Sequence, residues 1–82
     1  MTDIVQTLDV RPIVPREKHS TIFKLFDSLA VGQAFQLVND HDPMPLFYQF
    51  QMDRPGAFNW EKVESGPEVW RITISKEAAP KA

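Results

Sequence analysis

The sequence predicts an α/β fold (α+β in the stricter division): a two-layer sandwich in the order β-α-β-α-β-β, with a mixed four-stranded sheet and two helices on one face. Three observations carry that reading. Two apolar stripes recur at helical spacing, His19, Ile22, Phe23, Phe26, Leu29 and Ala30 first, then Leu46, Phe47 and Phe50. Short strand-like apolar runs stand before and between them. The last run, Trp70 to Ser75, alternates apolar and polar residues, so helices should cover only one side of the sheet.

Ile4 to Val10 reads as the first strand, with Leu8 and Val10 on one face and Thr7, Asp9 and Arg11 on the other. Pro12 and Pro15 end it, and Pro15 suits the first turn of a helix, where a missing N–H costs nothing. That helix runs about four turns, and Gly32 is its expected C-terminal stop. Ala34 to Val38 is the second strand, with Phe35 and Leu37 facing one way and Gln36 and Val38 the other. Asp42-Pro43 predicts the start of a second helix, the Asp42 carboxylate capping the first turn. Arg54-Pro55-Gly56 ends it, Phe58 to Val63 forms a third strand, and Ser65-Gly66-Pro67 leads to the fourth. One domain over residues 1–76 is expected, with 77–82 an unordered tail.

Composition excludes several classes. The 82-residue chain has no cysteine, so disulfides, thiolate zinc sites, persulfides and cysteine nucleophiles are out. Its net charge is −2, and the nine Lys and Arg are scattered, against the basic face of a nucleic-acid binder. Met1-Thr2-Asp3-Ile4 does not read as a signal peptide, and no apolar run approaches the ~20 residues of a membrane span. The expectation is a soluble cytoplasmic protein, monomer or homodimer, contacting neither nucleic acid nor membrane.

Two polar clusters carry the candidate chemistry: Arg11 to His19 after the first strand, and Asn39-Asp40-His41-Asp42-Pro43 after the second. In a strand–helix–strand unit both lie at the carboxyl edge of the sheet, where α/β folds build their sites. His19 and His41 are the only histidines, and with Asp40 they form a candidate metal set suited to Fe, Zn or Mn. The plainer alternatives are a core-edge role for His19 and a structural role for His41. Arg11, Arg16 and Lys18, with two helix N-termini, would instead suit an anion, but Asp9, Glu17, Asp40 and Asp42 balance them. Asp9 and Arg11, two apart on one strand face, also read as a surface ion pair. Phe47, Phe50, Phe58, Trp60 and Trp70 read as core, whereas Tyr48 lies off the stripe and is free to flank a ligand or partner.

Leu8-Asp9-Val10-Arg11, the first helix, Gly32-Gln33 and Asp40 with Asp42-Pro43 resemble the TusA/SirA group of small sulfur carriers. Asp9-Val10-Arg11, Pro15-Arg16-Glu17-Lys18-His19, Ile22-Phe23, Phe26-Asp27, Leu29, Asn39-Asp40-His41-Asp42-Pro43, Pro45-Leu46, Trp60 and Gly66-Pro67-Glu68-Val69-Trp70-Arg71 resemble more closely the TusA-like domain of unknown function 2249. Sulfur carriers have Cys-Pro-x-Pro where this chain has Pro15-Arg16-Glu17-Lys18, so the fold is implied and sulfur transfer is not. The resemblance also implies a protein partner, hemerythrin-like or otherwise redox-active, in an iron or nitrogen-oxide setting. The sequence thus reads as a non-catalytic binding or adaptor module, with Arg11, Arg16, His19, Asp40, His41 and Tyr48 as contact candidates. The alternative is a metal- or haem-binding protein, or a metal-dependent enzyme, using His19 and His41.

Overall fold

The computed structural model describes residues 3–78. The element order is β1 (Asp3–Asp9), α1 (Pro15–Ser28), β2 (Gln33–Asn39), α2 (Met44–Asp53), β3 (Phe58–Ser65) and β4 (Trp70–Lys76). The sheet runs β1-β2-β4-β3, with β1 and β2 parallel and the other two pairs antiparallel. This is the two-layer, two-helix, four-stranded mixed architecture of the TusA-like sandwich. Met1, Thr2 and residues 79–82 of the expected tail lie outside the described residues, whereas the Glu77 N–H donates to the Ala57 carbonyl at 2.8 Å.

Periodicity explains the core. On β2, Phe35 and Leu37 point to the same side as their β4 partners Ile74 and Ile72, and all four are buried. Ile22, Phe26 and Leu29 from the α1 segment and Leu46 and Phe50 from α2 close over them, together with Val10. Phe50 is the hinge of this packing: its ring stacks on Phe23 at 4.4 Å and meets Phe26 edge-on at 5.1 Å. Burying each such ring contributes roughly 1.5–3 kcal/mol.

Three sequence expectations change. Helix α1 stops at Ser28, short of Gly32; Leu29 is already extended, and Lys76 reaches from β4 to donate to the carbonyls of Asp27 and Leu29. Gly32, at φ +91°, instead makes the turn into β2. The alternating face of β4 is not wet: Thr73 and Ser75 are buried although no helix covers them. They lie in a central strand, where cross-strand neighbours such as Gln36 and Glu61 shield them.

The third change is at Asp42. Helix α2 begins at Met44 with Pro43 at the N-cap and no side-chain cap. Asp42 is therefore one residue too early to cap. Had the helix begun one residue sooner, Pro45 would have stood at its third position without an N–H to offer. Asp42 Oδ1 is instead buried without a hydrogen-bond partner among the described residues.

Candidate functional site

The carboxyl ends of β1 and β2 lie side by side, Asp9 opposite Val38, and the Val10 N–H donates to the Val38 carbonyl at 3.0 Å. The chain leaves each strand there and enters a helix through a proline-containing first turn. Between the two helix starts lies a hollow of about 210 Å³. Val10, Ile22 and Leu46 contribute its apolar surface, Pro15, Pro43 and Pro45 add rigid walls, and Lys18, His19, Asn39 and His41 are its polar lining.

Each polar side chain has a local reason to be there. Asn39 ends β2 on the same face as Phe35 and Leu37, so it points toward the helix layer. It is 6% exposed, and its Oδ1 accepts the Asp40 N–H at 3.0 Å. Lys18 and His19 precede the buried Ile22 by four and three residues, which places both on the inner side of the first turns of α1. His41 projects from the loop before α2, and its Nδ1 lies 2.7 Å from Asp40 Oδ1. That hydrogen bond outweighs desolvation and, with the charge of Lys18, holds Asp40 below the ordinary carboxylate range.

The structure brings His19 and His41 to one hollow but leaves the other candidates off its lining. Asp40 turns to His41 at the rim. Arg11 is engaged by Asp9, through Nε at 2.9 Å and Nη2 at 2.6 Å. The Arg11 side-chain hydrogen bond is the chief reason the Asp9 carboxyl is lowered to about 2. Arg16 is exposed on the first turn of α1. Tyr48 is 56% exposed and rests edge-on against Phe47, at 5.8 Å.

As a metal set, these residues do not fit. Protein sites for zinc or iron take three or more side chains, and no group of three His, Asp or Glu placed to hold a metal ion exists among the described residues. Two imidazoles share the hollow, and the carboxylate expected to join them is spent on one of the rings.

The sequence did not single out Asn39 as a contact, and it treated Lys18 only as background charge. Strand period for the first and helical spacing from Ile22 for the second are the signals that find them. A separate, shallower depression of about 440 Å³ lies between α2 and β3, lined by Phe47, Gln51, Pro55, Phe58 and Trp60 among others. No helix among the described residues is long and apolar enough to cross a membrane.

No curated protein and no solved structure matches the chain. Residues 7–76, which span both helices and all four strands but for the start of β1, match the family described as uncharacterized conserved protein DUF2249, and the chain belongs to that family.

Proposed function

We propose that the protein is a small non-catalytic binding or adaptor module whose contact point is the hollow between the starts of α1 and α2. The observation that supports this is the hollow itself, an apolar floor of Val10, Ile22 and Leu46 under convergent polar groups from Lys18, His19, Asn39 and His41. A concave apolar surface with a few placed polar groups is the usual form of a binding site. At about 210 Å³ it is smaller than the ~300–1,000 Å³ of most ligand clefts, which suits one side chain of a protein partner or a very small molecule. Transfer of sulfur through a cysteine is excluded, because this chain has none. The placing of that partner in redox, iron or nitrogen-oxide metabolism, a hemerythrin-like protein being one such partner, rests on the family resemblance alone.

The test is capture from the native cells with three forms of the full chain: wild type, the double variant Lys18→Glu with His41→Ala, and a Val31→Ser control. Val31 is exposed in the turn between α1 and β2, at the opposite end of the strands. The expected outcome is one partner retained by wild type and control and lost from a double variant of unchanged circular dichroism. Equal retention by all three forms overturns the proposal.

A further inference from the structure

The side chains lining the hollow divide by chemistry. The polar ones are Lys18, His19, Asn39 and His41, and no carboxylate is among them. Counted along the sequence, acids and bases at this edge nearly cancel; sorted by position, they do not. Asp9 is held by Arg11, Asp40 by His41, and neither Glu17 nor Asp42 lines the hollow. Neither helix has a side-chain cap at its start, so the N–H groups of both first turns add positive potential at this edge.

Asn39 carries the most specific information. Its side chain is almost fully buried, and its Oδ1 is used by the Asp40 N–H, a donor that only the oxygen of the amide can accept. The polar group left over is therefore the NH₂, which makes no hydrogen bond among the described residues and is not among the side-chain atoms sealed from solvent. An amide nitrogen that reaches an accessible surface without a protein acceptor is free to donate to water or a ligand. Here it belongs to a residue lining the hollow.

The geometry points to a carboxylate on a short apolar stem as the group this hollow receives. The carboxylate accepts from Asn39 Nδ2 and Lys18 Nζ, and the stem lies on Val10, Ile22 and Leu46. A carboxylate supplies several lone pairs where the lining supplies donors, and a charge-assisted bond to an ammonium is about twice as strong as a neutral one. The volume equals that of about seven waters, enough for a short-chain acid or an aspartate or glutamate side chain and too small for a nucleotide. The inference rests on the hollow being the binding site of the module, and it names the chemistry of the occupant, whether a free acid or the side chain of a partner.

The experiment is an amide ¹H–¹⁵N titration of the full chain with sodium propionate, beside propionamide and sodium chloride at matched ionic strength. Propionate alone is expected to give saturable shifts at Lys18, His19, Asn39 and His41. Asn39→Asp keeps the oxygen that accepts from Asp40 but replaces the NH₂ with an acceptor, and should weaken propionate binding at least tenfold. Lys18→Met should weaken it about tenfold, and because Lys18 is only half-buried this variant decides the matter even if Asn39→Asp fails to fold. Equal shifts from propionate and propionamide, no saturable shift, or unchanged affinity in Lys18→Met overturns the carboxylate. Release of a captured partner by propionate supports the carboxylate as the partner's own; retention together with propionate binding supports a free acid. A protein that ignores propionate yet captures its partner through the hollow overturns this inference and leaves the adaptor reading standing.

Discussion

Arg54 and Asp27 are joined by two parallel hydrogen bonds, Nε to Oδ1 at 2.9 Å and Nη2 to Oδ2 at 2.7 Å. They fasten the C-terminal ends of α1 and α2 to each other, at the end of the helix layer away from the hollow. The guanidinium also lies over the Phe23 ring, 5.2 Å from its centroid.

Arg54→Met keeps the apolar stem and removes the pair. Asp27 is half-exposed, so the loss at neutral pH is expected to stay below about 1 kcal/mol. The Arg54 hydrogen bond is the main influence on the Asp27 carboxyl and holds it below its ordinary value against desolvation. On acidification the unfolded chain therefore takes up this proton first. The advantage of wild type over Arg54→Met is complete above the ordinary carboxylate value of about 3.9 and vanishes as pH falls through the lower folded value. Urea midpoints of the two proteins should draw together as pH falls below the ordinary carboxylate value. Midpoints that separate further on acidification contradict the assignment.

Lys76 ends α1 from another strand. Its ammonium donates to the Asp27 and Leu29 carbonyls at 2.9 and 2.8 Å and lies 5.5 Å from the centroid of the Phe26 ring. A cation at a helix C-terminus satisfies carbonyls that have no partner within the helix. Lys76→Met should cost about 1 kcal/mol, seen as a fall in Tm of about 4–8 °C with little change in the slope of urea unfolding.

These two contacts mark where the sequence stopped being legible. Stripes such as Ile22, Phe26 and Leu29 and alternation such as Phe35 and Leu37 depend on neighbours one turn or two residues away, and both were readable from local pattern. Arg54 to Asp27 and Lys76 to Leu29 join residues 27 and 47 apart in sequence, and no period connects them. The place of Asp42 escapes local pattern for a related reason: two prolines, 43 and 45, compete for the helix start, and a shift of one residue takes Asp42 out of reach. At the hollow, topology sufficed to bring His19 and His41 together. Side-chain direction then removed Arg11, whose nearest opposite charge lies two residues back at the end of β1.

That engagement of Arg11 is measurable. Carboxyl ¹³C titration of the wild type should show Asp9 losing its proton at about 2. In Arg11→Met the same signal should rise toward the ordinary value of about 3.9, held below it chiefly by the backbone N–H of residue 11, which still donates to the carboxylate. An Asp9 that titrates normally in the wild type would release Arg11 to serve as a contact for a ligand.

Gly32 and Gly66 share a left-handed backbone, φ +91° and +75°, but differ in what surrounds them. A Cβ built at Gly32 meets nothing within 4 Å, whereas one at Gly66 comes within 2.8 Å of the Trp70 indole carbons. The Gly66 N–H donates to the Val69 carbonyl, which folds the β3–β4 connection so that the indole lies against Gly66. The Lys62 ammonium also approaches that ring, 5.8 Å from its centroid. Gly32→Ala should therefore cost only the backbone penalty, about 1–2 kcal/mol. Gly66→Ala carries that penalty and must also displace the indole, for a further loss of about 1–3 kcal/mol. Urea unfolding of both variants separates the two contributions, and the Trp70 fluorescence of the folded state should shift only in Gly66→Ala. Equal destabilisation with unchanged fluorescence would mean that the indole does not depend on the bare backbone at Gly66.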